Sequence, residues 1–247
     1  MEPGPPDQPD FSQEEAIAAR RRVMASGDPE QATAAAFELG VFLADDPARL
    51  NEAAACFRRV VEIGLAVAVP AALLNLAGVL FRQGRSLEAE QRYREARATG
   101  DTAIAAAAGY GLGVVLAARP ERAAEAVLEL RTVAATTDPE YAPLAAYDAG
   151  VLLSTLGRTD EAVASWRDAV RSGHPDSAPR SAFNLGVTLA GQGRIDEAEE
   201  AYHTAIASGH EDVAPAAAVN LAGLLEDQRH RAPAPLSTRG LRPGPAA

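Results

Sequence analysis

The 247-residue chain contains no lysine; every basic residue other than histidine is arginine. That absence removes a phosphate-binding loop of the G-x-x-x-x-G-K-[ST] type, a pyridoxal Schiff base and a kinase-type lysine, because each needs the ammonium group. Cysteine is almost as scarce. Cys56 stands alone, so no internal disulfide can form, and its place on a periodic helical face reads as a small buried apolar residue. Aromatic residues make up 5% of the chain, which suits closely packed Ala- and Leu-rich helices better than a β-sandwich. No apolar run approaches the roughly 18 residues of a membrane-spanning helix. Residues 1–10 are acidic and Pro-rich where a secretory signal is basic and then apolar. The expectation is a cytoplasmic protein with no membrane partner. The net charge of −11 repels phosphate backbones, so nucleic acid is not expected as a partner either. Missing lysine beside abundant Ala, Gly and Pro resembles the codon bias of a GC-rich bacterial genome.

What the chain does have is a repeat. A Glu-Ala pair returns at Glu15-Ala16, Glu52-Ala53, Glu88-Ala89, Glu125-Ala126, Glu161-Ala162 and Glu197-Ala198, at steps of 37, 36, 37, 36 and 36 residues. A second comb, Leu39, Leu76, Leu112, Ala149, Leu185 and Leu221, follows each pair by 23 residues, so every unit holds two elements. In the fifth unit Ala182, Leu185, Gly186 and Leu189 recur at helical spacing, as do Ala198, Ala201, Tyr202 and Ala205; both stretches predict amphipathic helices. Gly84, Gly157 and Gly193 close the first helices of three units, and a Pro-bearing turn one residue longer (Asp46-Pro47, Arg119-Pro120) replaces glycine in the other two, which accounts for the two 37-residue steps. Gly64, Gly100, Gly173 and Gly209 end second helices, and Pro70, Pro143, Pro179 and Pro215 fall in the first turn of the next. The expected architecture is all-α: an α-solenoid over residues 14–228 with five full hairpins and a half unit at each end. Residues 1–13 and the Pro/Arg-rich 229–247 are expected to be disordered.

These residues resemble the tetratricopeptide repeat family. Leu39-Gly40, Leu112-Gly113 and Leu185-Gly186 give its Leu-Gly; Ala53 with Phe57, Ala89 with Tyr93, Ala162 with Trp166 and Ala198 with Tyr202 give its Ala and following aromatic. The family's Trp position holds small residues (Ala36, Leu73, Ala146, Ala182), Leu130 replaces the aromatic of the third unit, and the period exceeds the family's 34. Ser172-Gly173-His174 and Ser208-Gly209-His210 look like the corners of the related Sel-like repeats. The resemblance implies a right-handed superhelix with lengthened corners.

It also implies that first helices line a concave groove faced by the residue two before the Leu comb: Phe37, Leu74, Tyr110, Tyr147, Phe183 and Val219. Val41, Val114, Val151 and Val187, two after the comb, extend this apolar ladder. Asn75, Asn184 and Asn220, with Glu38 and Asp148 at the same station, sit where family members bond a peptide backbone, a role that suits an amide able to donate and accept. Only Arg180 is placed for a carboxylate clamp, which is therefore not expected. Arg49, Arg85, Arg122, Arg158 and Arg194 each precede a comb Glu by three residues, and Arg58, Arg94, Arg131 and Arg167 form a second row; the expectation is that these rows pair with carboxylates rather than collect an acidic ligand. His174 and His210 have no companions at metal-ligand spacing. Gly109-Tyr110-Gly111-Leu112-Gly113 imitates a dinucleotide fingerprint but falls inside a predicted helix with no strand before it. No Ser, His and Asp grouping escapes the repeat register, so no cofactor, metal or catalytic residue is assigned.

The chain reads as a non-catalytic scaffold or adaptor that takes a peptide or helix of a cytosolic protein partner in its apolar groove. Two alternatives stay open. The half unit ending near Asp227 leaves an apolar face through which two copies could form a homodimer, and the chain could serve as helper subunit of an enzyme.

Overall fold

The computed structural model describes residues 11–231. Twelve α-helices account for nearly all of them: α1 (Phe11–Met24), α2 (Pro29–Ala44), α3 (Leu50–Ile63), α4 (Val69–Arg82), α5 (Ser86–Ala98), α6 (Thr102–Ala117), α7 (Ala123–Ala134), α8 (Tyr141–Thr155), α9 (Thr159–Ser172), α10 (Ser177–Gly191), α11 (Ile195–Ala207) and α12 (Val213–Arg231). In chain order α1 is a second-half helix, five first-then-second pairs follow, and α12 is a first-half helix, as the two combs predict. Helix α1 starts three residues before the expected bound of 14 and α12 ends three after 228, so residues 11–13 and 229–231 are helical rather than disordered. The rest of the two expected tails, residues 1–10 and 232–247, lies outside the described residues.

Local chemistry sets the boundaries. The seven glycines with positive φ among the described residues are those at the turns and corners named above, Gly193 at +74° among them, a conformation in which a Cβ is penalised. The two longer turns fold as single 3-10 turns, Pro47–Arg49 and Pro120–Arg122; in the first, Asp46 accepts a hydrogen bond from the Ala48 N–H at 2.8 Å. Pro70 opens α4 within its first turn, where a helix has N–H groups to spare.

The chain divides into two compact units, with the boundary inside α9 between Ser165 and Trp166. In the first, the core runs through Leu39, Leu43, Phe57, Leu76, Leu80, Leu112 and Leu116, with the comb alanines Ala53, Ala89 and Ala126 fully buried. Deleting a ring such as Phe57 costs roughly 3–5 kcal/mol by the usual sum of transfer and cavity terms. The second unit buries Trp166, Ala182, Leu185, Leu189, Ala198 and Tyr202.

Helices within a hairpin approach closely where glycine follows the comb. A methyl added at Gly40 would stand 2.8 Å from the Phe57 ring, one at Gly113 2.7 Å from Leu130 and one at Gly186 2.5 Å from Tyr202. In the second hairpin Ala77 occupies this station, and the Tyr93 ring lies instead against Gly111 of the following first helix, where a methyl would overlap it.

Candidate functional site

The predicted groove stations occupy one side of the first helices, and each unit carries its own set. In the first unit Phe37, Leu74, Tyr110 and Tyr147 are half-buried on α2, α4, α6 and α8. Phe37 meets the Phe57 ring edge-on, with centroids 5.7 Å apart. Tyr110 lies 5.8 Å from the Tyr141 ring and donates its hydroxyl to the Asp148 carboxylate at 2.7 Å. Burial, and secondarily that carboxylate, raise the Tyr110 hydroxyl above the ordinary tyrosine range, so Tyr110 stays a neutral donor. This bond joins stations of α6 and α8. Two residues past the comb, Val41 and Val151 are exposed and Val114 half-exposed. Asn75 spends its amide N–H on the Ala71 carbonyl of its own helix, at 2.8 Å.

In the second unit Phe183 is half-buried with its ring 6.3 Å from Tyr202, and Val187 is exposed. Asn184 is half-buried. Asn220 bonds the Tyr202 hydroxyl. Arg180 reaches Asp176 at 3.2 Å, one turn away. Val219 on α12 is the most exposed of the ladder, at 72%.

Apart from Arg58, the arginines of the two rows are paired among the described residues. Each Arg three before a comb Glu bonds it: Arg49 with Glu52, Arg85 with Glu88, Arg122 with Glu125, Arg158 with Glu161 and Arg194 with Glu197. Three of these carboxylates also take an Arg from the preceding repeat, Arg21 on Glu52, Arg131 on Glu161 and Arg167 on Glu197. Hydrogen bonds from the Arg at i−3 hold all five Glu below their ordinary range. Glu90 is the one buried carboxylate among the described residues, ringed by Arg94, Arg119 and Arg122. Burial pushes its pKa up, but bonds from Arg119 and Arg94 outweigh that and leave it lowered. The sequence reading expected pairing of this kind. It overlooked Arg21, the first member of the second row, and Glu90.

Sequence reasoning also overlooked a pocket. Between α2 and the α3-to-α4 corner lies a cavity of about 680 Å³ lined by Glu30, Thr33, Ala34, Phe37, Glu38, residues 65–68 and Ala71; only Phe37 and Glu38 were singled out beforehand. A signal existed in the corners. The residue eleven before the Leu comb is Asp28, Asp101, Asp138, His174 or His210 in five of six units and Leu65 in the sixth.

The glycine-rich stretch at residues 109–113 lies within α6. Its glycines admit neighbours, Gly109 admitting Val133 and Gly113 admitting Leu130, so it is a packing surface. Cys56 is buried, which raises its thiol pKa. Among the described residues no helix is long and apolar enough to cross a membrane.

No curated protein sequence matches the chain. Solved structures of similar fold include PilF of Pseudomonas aeruginosa, 20% identical with a TM-score of 0.64 over 81% of this chain and 87% of that one. YrrB, described as a tetratricopeptide repeat protein with an unusual peptide-binding site, is 18% identical with a TM-score of 0.52 over 87% and 97%. The apo quorum sensor NprR of B. thuringiensis is 12% identical with a TM-score of 0.61 over 89% and 65%. The tetratricopeptide repeat family model matches residues 48–104, 147–212 and 185–230, more than half of the chain. With the paired helices and the Leu-Gly and Ala-aromatic stations in register, the chain belongs to the tetratricopeptide repeat family.

Proposed function

We propose that the chain is a non-catalytic interaction module, cytoplasmic, whose first helices hold an apolar peptide or helix of a partner protein. The observation that carries this is the row of Phe37, Val41, Leu74, Tyr110, Val114, Tyr147 and Val151, which leaves apolar side chains partly exposed on four successive first helices. Partly exposed aromatic and aliphatic groups on a rigid framework are the usual anchors of a bound segment. Phe183, Asn184 and Val187 continue the pattern in the second unit. The description of YrrB as peptide-binding agrees with this reading.

Tyr110 is a poor probe, since alanine there removes the Tyr141 contact and the bond to Asp148 together. The exposed Val41 and Val151 are better. In capture from native lysate with mass-spectrometric readout, Val41→Asp with Val151→Asp should lose a partner that wild type retains, at unchanged helicity. Trp166→Ala, which empties a buried site, should instead cost roughly 3–5 kcal/mol of stability. Identical partner profiles for wild type and the valine pair would refute the groove.

A second reading rests on α12, where Val219 is exposed and Leu224 and Leu225 are half-buried: two copies associate through this face. Light scattering at rising concentration should show a mass above the monomer that Val219→Asp abolishes, and a monomer throughout would end that reading.

A further inference from the structure

Five of the six inter-repeat corners share a capping device. Asp28 accepts from the Glu30 and Gln31 N–H groups at 2.9 and 3.3 Å, and Asp101 and Asp138 do the same for α6 and α8. His174 Nδ1 accepts from the Asp176 and Ser177 N–H groups, and His210 Nδ1 from that of Asp212. The corner before α4 breaks the rule. Leu65 stands at the capping station, no side chain caps α4, and the loop that follows is Ala66-Val67-Ala68, with Val67 89% exposed. A corner that forgoes its cap and sets an aliphatic side chain in water departs from the local rule the other five obey, and such departures concentrate at functional sites.

That corner walls the pocket between Phe37, Thr33 and Ala34 of α2 and Ala71 of α4. Its rim is acidic. Glu30 has no ion pair among the described residues, and Glu38, 65% exposed at its side chain, meets only Arg20 at 3.6 Å. Thr33 is 5% exposed and its hydroxyl has no hydrogen-bond partner.

We propose that this pocket is the anchor subsite for an extended partner segment that inserts one apolar side chain between Phe37 and Val67 and sets Arg or Lys residues on either side of it against Glu30 and Glu38. The inference rests on the interaction-module reading above and gives its partner a chemistry. Eight residues of helix separate the two carboxylates by about 12 Å, the span of three to four residues of extended chain. The pattern is therefore basic, apolar, basic within about five residues. A net charge of −11 favours the approach of such a segment.

The test is selection of a display library of random linear peptides on the full chain, followed by titration of the synthesised winners. The expected winners carry the basic-apolar-basic pattern and lose at least about tenfold in affinity with Val67→Asp and with Glu30→Lys plus Glu38→Lys. Ala34→Leu, which fills the pocket from an exposed helical position and leaves the corner residues themselves unchanged, should give the same loss with an unchanged melting curve. Winners without basic residues, or winners indifferent to Val67→Asp and Ala34→Leu but lost with Val41→Asp and Val151→Asp, would overturn the subsite and leave the groove standing. No enrichment above background would overturn both.

Discussion

At the scale of single residues, the glycine after a comb position, where there is one, decides how near the two helices of a hairpin come. Gly186 faces the Tyr202 ring at a distance no side chain could share, whereas Gly191, at the end of the same helix, has open space around it. Gly186→Ala should therefore destabilise by about 1–3 kcal/mol through overpacking. Gly191→Ala should be neutral or stabilise by about 0.4–1 kcal/mol, because it restricts the unfolded chain without a clash. Urea denaturation of both variants checks the pair; equal effects would mean that the ring is not held against α10. Glu90 shows the same dependence on surroundings in charge. It tolerates burial because Arg94, Arg119 and Arg122 converge on it, the condition under which a carboxylate can leave water.

At the scale of elements, corners differ in what they use to start the next helix. The Ser-Gly-His corner is built from its parts: Ser172 donates to the Ala169 carbonyl at 2.6 Å and accepts from the His174 N–H, whose ring then caps α10 through Nδ1. Removing that acceptor with His174→Ala should cost about 1 kcal/mol, while His174→Asp, which copies the corners at Asp101 and Asp138, should keep wild-type stability. Thermal melts of the two variants decide it.

Helices and turns were legible because each leaves a periodic or local trace: the combs give two amphipathic faces, and Gly193 or Asp46-Pro47 marks a break without reference to the rest of the chain. What escaped depends on neighbours distant in sequence. Tyr93 occupies the expected station yet leans on the next repeat because Ala77 fills the space a glycine would leave. The pocket at residues 65–68 takes half its wall from α2, about thirty residues earlier, and its only linear trace is one leucine where aspartate or histidine stands elsewhere. Of the ladder, the sequence pattern indicated the stations, but not that Tyr110 commits its hydroxyl to Asp148.

At the scale of the whole molecule, charge governs how the protein responds to its medium. Glu52, Glu88, Glu125, Glu161 and Glu197 all titrate below the ordinary 4.5 of a glutamate when folded. A folded pKa lowered in this way adds stability that is complete above the unfolded value and disappears as pH falls through the folded one. Thermal stability should thus be level from neutral pH down to about 5 and decline below about 4.5. Because these pairs are largely exposed, molar salt should shrink the contribution. A melting temperature that rises on acidification would contradict the assignment. Glu161→Gln should flatten the decline.

The displaced Tyr93 ring has a consequence for how such arrays are rearranged. Where glycine follows the comb at Gly40, Gly113 and Gly186, a hairpin closes on a side chain of its own second helix. The second hairpin closes partly on Gly111, a residue of the third, so the two travel together: a recombinant that duplicates, deletes or transplants one without the other would leave a tyrosine without its seat or a glycine with nothing to admit. The repeats share a period, but they are not interchangeable modules.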